Sequence, residues 1–496
     1  MRRQILFFFS LAIFFFVGLA QSLVAQTSGC FSIVAGRNTT ADGAVLLAHN
    51  EDDSGEQVVI LHLQPAIQEI TDEPIRLLKG GLVAPDPTTA GYLWLQMPGM
   101  LFSDSYVNCH AVSIVSNACP SRETDGEIEN GGISFWLRRL LAERAHSARH
   151  AVQLAGHWIE TYGYDSSGRT YIIADRDEGW MLAVVQGKHW AAARVPNDHV
   201  AVIPNHYTLG YIDLSDTTHF LGSSDLMDYA EQRGWYDSEK DGLFHFSYAY
   251  SDPRALATPT NHLRMWSAVN LLAAEPVGRQ EPLPFSFRPK KLLTPGDLMR
   301  VLRDHYEDTD LDSSQSYRLG NPHELNGHPI CNHTTQYGLI AQLRRQVPDD
   351  LGAVIWIAPR RPDVQAFIPW TVHLDSLPAA YTMNDPREAL ELHFSGDSLR
   401  RSRGADFSYF VFSRLCDRVD QDYFARLPFV RNAWRVLEED ALKSQSEFEA
   451  RLGSDAAERR RALTRRTFDY ADRALRMANK LIQGAPPPDK VQTNPH

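Results

Sequence analysis

Cys30 follows a 29-residue segment that reads as a removable leader, so a cut between Gly29 and Cys30 places a thiol and a free α-amine on one residue. Such an amine, with an unperturbed pKa of about 7.7 to 8.0, is partly unprotonated near neutral pH and takes the thiol proton as the sulfur attacks a carbonyl carbon. An acyl-enzyme forms, and the reaction needs hydrogen-bond donors for the oxyanion and a group that orients the amine. Suitable residues are Asn50 and Asp52 near the first hairpin, Asn108 at the head of the run NCHAV, and Asn205 just past HVAVIP. Taken singly, each suits a turn or a cap; as a set they meet the requirements of acyl transfer.

The leader runs from Arg2 and Arg3 through an apolar stretch, Ile5 to about Ala20, into Gln26, Thr27, Ser28 and Gly29. That is the pattern of a secretory signal, and its apolar part falls short of the roughly 20 residues a spanning helix needs. Ser22, Ala25 and Thr27-x-Gly29 offer small-residue cleavage sites, and an early cut leaves a propeptide that Cys30 must remove itself. A rival reading takes Thr27-Ser28-Gly29-Cys30 as a lipobox with Cys30 lipidated, although Thr stands where Leu is usual. Membrane association is expected only in that case or with the leader uncleaved.

At 496 residues and 43% hydrophobic, the chain is long enough for one large or two fused domains with a substantial core. Removing residues 1–29 takes away two arginines and no acid, so the net charge of -12 becomes -14. That acidity excludes an electrostatic partnership with nucleic acid. Cys109, Cys119, Cys331 and Cys416 allow at most two disulfides beside a held-back Cys30, or four buried thiols. No CxxC spacing supports a zinc or redox site, and nothing requires a metal or an organic cofactor.

The elements that must position these groups follow from periodicity. Cys30 to Gly36 alternates, Asp42-Gly43 turns, and Ala44 to His49 returns, which brings His49, Asn50, Glu51 and Asp52 back beside Cys30. Residues 133–162 switch to helical period, broken near Ala145 to Ser147. A β meander follows over Thr170–Ala174, Trp180–Val185, His189–Val195 and His199–Ile203, with further strands at Gly338–Leu343 and Leu351–Ala358. From Pro386 the pattern is helical and charged, and residues 484–496 form a proline-bearing tail expected to be disordered. The order of elements predicts an α+β layered architecture rather than a doubly wound sheet.

Four strings together resemble the C69 dipeptidases: CFSIVAGRNTTADGAVLLAHNEDD from Cys30, YVNCHAVSIVSNA from Tyr106, WAAARVPNDHVAVIPNHYTLGYIDLSD from Trp190 and HPICNHTTQYGLIAQLRRQVPDDLGAVIWIA from His328. That family belongs to the N-terminal nucleophile hydrolases, related to penicillin V acylases and bile salt hydrolases. The resemblance implies a four-layer αββα sandwich over residues 30–385, with a helical region, 386–483, packed on it. It implies Cys30 as nucleophile, Asp52 as the contact of the terminal amine, Asn108 and Asn205 as oxyanion and positioning groups, and Arg264 as the arginine supporting the nucleophile. The arginine usual before the Asn-x-Asp motif is His49 here, so either Arg264 supplies the missing charge or the thiolate is less stabilised.

The expected function is that of an exported cysteine hydrolase, periplasmic or extracellular, that cleaves short peptides, with a homo-oligomer among the partner states the sequence leaves open. Charge complementarity assigns Glu51 or Asp53, beside Asn50, to the substrate ammonium, and Arg264 or Arg37 to its carboxylate. An amidase for N-acyl amino acids or bile-salt-type conjugates, and a peptide-binding lipoprotein, are the rival functions. HELNGH has histidines five apart and an Asn-Gly break, which reads as a loop rather than a zinc-protease helix. Asp308, Asp310 and Asp312 open like a calcium loop but lack its glycine and its twelfth-position glutamate. GxSxG and phosphate-binding glycine loops are absent.

Overall fold

A computed structural model describes residues 29–53, 58–68, 73–77, 79–96, 103–128, 131–325, 328–382 and 407–484. The leader up to Ser28, the expected helical boundary at 386 and the tail from 485 lie outside the described residues. The strands are β1 (Phe31–Ala35), β2 (Val45–Asp52), β3 (Ile60–Gln64), β4 (Ile75–Arg76), β5 (Leu82–Val83), β6 (Tyr92–Gln96), β7 (Ser105–Asn108), β8 (Ser113–Ala118), β9 (Arg169–Ala174), β10 (Gly179–Val184), β11 (Trp190–Val195), β12 (Val200–Ile203), β13 (Phe220–Gly222), β14 (Thr335–Leu343), β15 (Ala353–Pro359) and β16 (Ile368–Trp370).

Two antiparallel sheets carry the fold. One has six strands in the order β12-β1-β2-β14-β15-β16; the other has eight, in the order β13-β11-β10-β9-β8-β7-β6-β3. Alternation along β10 shows how they stack: Met181 and Ala183 join the core shared with the six-stranded sheet, while Trp180, Leu182 and Val184 face the helices Trp136–Arg144 and Ala148–Tyr162. At Gly179 the sheets come so close that a Cβ would lie 2.5 Å from Val34 Cγ2. On the far side of the six-stranded sheet pack Pro259–Leu272, Pro295–Val301 and the helices Ser408–Asp420, Tyr423–Ala450 and Ala456–Gly484. Trp434 Nε1 donates to Val364 O at 2.7 Å, and Tyr381 OH to Ala471 O at 2.9 Å, tying these helices to the loops of that sheet. The layers therefore read helix, sheet, sheet, helix, the αββα order expected.

The predicted hairpin is β1 and β2, and the break between the paired helices falls where Ser147 caps the second by accepting from His150 N. One expectation shifts. His199–Ile203 does not end the meander in its own sheet; Pro196 and Asn197 turn the chain, and β12 pairs with β1 in the other sheet. All five cysteines are unpaired: Cys109 is half-buried and the others are buried.

Candidate active site

The β1/β2 register sets Ser32 opposite His49 and Phe31 opposite Asn50, which puts Cys30 across from Glu51. Strand alternation then sends Cys30, Ser32, His49 and Glu51 into the space between the sheets, and Asn50 and Asp52 to the helix side. Between the sheets, Cys30 Sγ lies 3.5 Å from Glu51 Oε2, Glu51 Oε2 lies 3.0 Å from His49 Nε2, His49 Nδ1 lies 2.8 Å from Ser32 Oγ, and Ser32 Oγ donates to Asn117 Oδ1 at 2.6 Å. Asn117, from β8 of the opposite sheet, donates through Nδ2 to the carbonyls of Cys30 (3.1 Å), Ile203 (2.8 Å) and Pro204 (3.2 Å).

The direction of this chain assigns its protons. Asn117 gives its amide hydrogens to carbonyls and accepts the Ser32 hydroxyl, so Ser32 Oγ accepts from His49 Nδ1–H. His49 Nε2 is then a lone pair, and Glu51 meets it as a neutral carboxyl. The electrostatics agree: burial, then the Asp53 charge, pushes Glu51 up to about 8, while burial with the Arg138 and Arg169 charges pushes His49 down to about 3. Their 3.0 Å contact is a hydrogen bond between neutral groups at pH 7, not an ion pair. Burial, and then the negative charge that Glu51 and Asp52 carry once ionised, raise the Cys30 thiol well above its ordinary value, with Arg169 opposing them.

On the helix side, Asp52 accepts from Thr335 Oγ1 (2.6 Å) and Asn332 Nδ2 (2.8 Å), and Arg264 Nη1 stands 3.9 Å away. Burial still lifts Asp52 to about 7 against those bonds and that charge. Arg264 is buried and engaged through both terminal nitrogens: Nη1 donates to Gly29 O (2.7 Å) and Cys30 O (3.3 Å), and Nη2 to Asn205 Oδ1 (2.6 Å) and Asn261 Oδ1 (2.9 Å), while Nε has no partner among the described residues. Asn205 Nδ2 gives one of its two hydrogens to Ala118 O at 3.0 Å. The structure thus gathers Cys30, Glu51, Asp52, Asn205 and Arg264 around the Gly29–Cys30 peptide bond.

Two expected residues serve elsewhere. Asn108 spends its whole amide on structure: Nδ2 donates to Ala142 O (3.1 Å) and Ala145 O (2.7 Å), and Oδ1 accepts from His110 N and Val112 N. It locks the β7–β8 turn to a helix end and has no atom left for an oxyanion. Asn50 is buried and donates through Nδ2 to Leu302 O (2.9 Å) and Ile330 O (3.0 Å), which anchors the helix layer and leaves Oδ1 without a partner among the described residues. Asp53 is half-buried past the end of β2, with its amide on Thr334 O, and Arg37 pairs with Asp177 at 3.6 Å.

Ser32, Asn117, Asn332 and Thr335 escaped the reading of the sequence. Asn117 alone left a local signal: in SIVSNA it takes an inward position in line with Val115, where an apolar residue is the rule. His323 of HELNGH sits on a one-turn helix and meets Asp363 at 2.8 Å, beside His305. Asp312 caps its own turn by accepting from Ser314 N and Ser314 Oγ. A recess of about 730 Å³ bordered by Leu293, Trp356, Leu442 and Glu449 has no residue of the Cys30 cluster in its lining.

Comparison with known proteins agrees with the reading of the strings. A model of the family described as Peptidase family C69 matches residues 124–394. A probable dipeptidase of Latilactobacillus sakei is 27% identical over 380 residues, covering 72% of this chain and 76% of the relative. Dipeptidase A of Lactobacillus helveticus is 24% identical over 429 residues, 80% of this chain and 86% of its own. Among solved structures, a mutant conjugated bile acid hydrolase from Clostridium perfringens aligns over 66% of this chain and 89% of its own at 10% identity, with a TM-score of 0.34. A Caenorhabditis elegans N-acylethanolamine-hydrolyzing acid amidase ortholog aligns at 15% identity over 64% and 94%, with a TM-score of 0.29.

Proposed function

The chain belongs to peptidase family C69, and on that premise we propose that it is an exported dipeptidase whose nucleophile is the Cys30 thiol and whose base is the Cys30 α-amine, freed when residues 1–29 are removed. The observation that carries this reading is the treatment of one peptide bond. Arg264 Nη1 holds the Gly29 carbonyl oxygen at 2.7 Å, with Asp52 3.9 Å from the same nitrogen and Asn205 on the other arm of the guanidinium. In the precursor, Cys30 Sγ attacks the Gly29 carbonyl carbon while Arg264 stabilises the oxyanion. The thiol proton ends on the departing nitrogen, a thioester forms, and water releases the leader as its carboxylate.

Once free, the α-amine takes the thiol proton as sulfur adds to a substrate carbonyl, then gives it to the departing amide nitrogen. Water, deprotonated by the same amine, hydrolyses the thioester. Asp52, held by Thr335 and Asn332, orients the amine. Glu51, buried and 3.5 Å from the sulfur, receives the substrate ammonium, which restores the charge that burial disfavours. That pairing supports a substrate with a free amino end rather than an N-acylated one. The leader pattern supports export.

Intact mass and N-terminal sequencing of secreted protein test the reading, followed by assays of free and N-acylated dipeptides. A chain beginning at Cys30 that prefers the free dipeptide is expected. A lipidated Cys30, or full activity in a chain that begins before it, refutes the mechanism; preference for the N-acylated substrate refutes the dipeptidase assignment.

A further inference from the structure

His49 stands between Ser32 and Glu51 in the space between the sheets, within reach of the Cys30 sulfur. Cys30 Sγ, His49 Nε2 and Glu51 Oε2 all lie within 4.8 Å of one another, all three residues buried. We propose that these three side chains form a binding site for a divalent transition ion, zinc above all, and that occupancy inhibits the enzyme by capturing its nucleophile. The proposal rests on the reading of Cys30 as that nucleophile only for its inhibitory consequence; the ion site stands on the geometry.

Zinc takes thiolate at about 2.3 Å and imidazole or carboxylate at about 2.0 to 2.2 Å, which sets ligand atoms roughly 3.3 to 3.6 Å apart at tetrahedral angles. The sulfur and carboxyl oxygen here are 3.5 Å apart, and the carboxyl oxygen and imidazole nitrogen 3.0 Å, so the ion enters with only small shifts. The imidazole is already the ligating tautomer, because Ser32 accepts Nδ1–H at 2.8 Å and is itself anchored on Asn117. Such an outer hydrogen bond fixes ring orientation and raises ligand basicity. Binding balances as an exchange: Zn²⁺ displaces the thiol proton of Cys30 and the carboxyl proton of Glu51, and one thiolate and one carboxylate leave the centre neutral. The nearby cations Arg138 and Arg169 share the single carboxylate of Asp104, so part of their charge is still felt at the site and opposes the ion. In the processed chain the Cys30 α-amine adds a nitrogen that closes a five-membered chelate with the sulfur, as a fourth ligand.

The experiment uses the processed full-length enzyme, with Co²⁺ as optical probe and Zn²⁺ as inhibitor. Co²⁺ is expected to give a near-ultraviolet thiolate charge-transfer band that Cys30→Ser abolishes, and Zn²⁺ to inhibit dipeptide hydrolysis reversibly on chelation. His49→Gln is expected to weaken Zn²⁺ binding on the order of 100-fold, and Ser32→Ala about tenfold through loss of ring orientation. Absence of the Co²⁺ band in folded enzyme overturns the site, as does equal Zn²⁺ affinity in wild type, His49→Gln and Ser32→Ala. Alkylation of Cys30 separates the two readings: a Co²⁺ band in an enzyme whose activity survives alkylation leaves the site standing and removes the inhibitory consequence.

Discussion

Replacing Arg264 by methionine removes a charge whose value at Asp52 follows from the geometry. At 3.9 Å and an effective dielectric constant near 20, the attraction is about 4 kcal/mol, about a thousandfold in the protonation equilibrium of the carboxyl. Asp52 already stands at about 7, so the loss leaves it protonated across the neutral range and unable to hold the Cys30 amine. The acid limb of kcat/KM, expected near pH 7 in the parent, moves above pH 8. Loss of the donor to the oxyanion lowers kcat by a further ~10² to 10³. Removing one partner of a buried charge pair costs about 3 to 5 kcal/mol, within the reach of a urea titration. Arg264→Lys separates the contributions: it keeps a charge near Asp52 but lacks the two-armed reach to Gly29 O and to Asn205 and Asn261. That variant is expected to hold the acid limb near its parental position while still losing kcat. An acid limb for Arg264→Met that coincides with the parental one would refute the assignment of Asp52 and Arg264 as a coupled pair.

Three further outcomes are expected. Glu51 is raised from the ordinary 4.5 to about 8 in the folded chain, so its contribution to stability is full below about pH 4.5 and is lost as pH rises towards 8; in the unprocessed Cys30→Ser chain, Glu51→Gln should flatten the fall in thermal midpoint between pH 5 and pH 9, and an equal fall in both would sink the idea. Gly179→Ala drives a methyl to 2.5 Å from Val34 Cγ2 between the sheets and should cost about 1 to 3 kcal/mol in urea unfolding, much of it recovered by Val34→Ala; additive losses would contradict the close approach. Gly29→Ala sets a Cβ 2.3 Å from Asn205 Oδ1, so the precursor band should persist at least tenfold longer in a pulse-chase, while a chain engineered to begin at Cys30 is unaffected because it has no residue 29; unchanged processing kinetics would count against Arg264 and Asn205 gripping that bond.

How much of this was legible in the sequence depended on the range of the interaction. The β1/β2 hairpin and the paired helices are written locally, in period-2 and period-3.6 patterns around Asp42-Gly43 and Ser147, and they appear where the pattern puts them. The transfer of β12 to the other sheet turns on Pro196 and Asn197 and on pairing with β1, more than 160 positions away, and nothing local encodes that choice. The site divides the same way. Cys30, Asp52, Asn205 and Arg264 stand close together in the structure, and residue type and motif place were enough to single them out. Asn108 was misassigned because an asparagine beside a turn reads alike whether its amide faces a substrate or, as here, the carbonyls of Ala142 and Ala145. Ser32 and Asn117 were missed because their roles exist only once two sheets are stacked.

At His49, where the resemblance implies an arginine, sequence and structure combine to say something neither holds alone. The sequence leaves two ways to make up the missing charge: Arg264, or a thiolate left less stabilised. Arg264 stands on the helix side, turned to the Gly29 and Cys30 carbonyls and Asp52. The cation that lowers the cost of a Cys30 thiolate is Arg169, on β9 of the opposite sheet, with Nη1 2.8 Å from Asp104 and 3.1 Å from Ser116 Oγ. Arg138 shares that carboxylate and, with Arg169, keeps His49 neutral. Positive charge near Cys30 is therefore supplied from the sheet that faces β1. A neutral imidazole stands beside Cys30, joined to Glu51 in a chain of hydrogen bonds that an arginine could not make with the same polarity. A guanidinium has donors only, whereas His49 donates to Ser32 and accepts from Glu51. The imidazole thus joins Ser32 to a protonated carboxyl beside the sulfur, the arrangement on which the proposed recognition of substrate ammonium and the proposed metal site both rest.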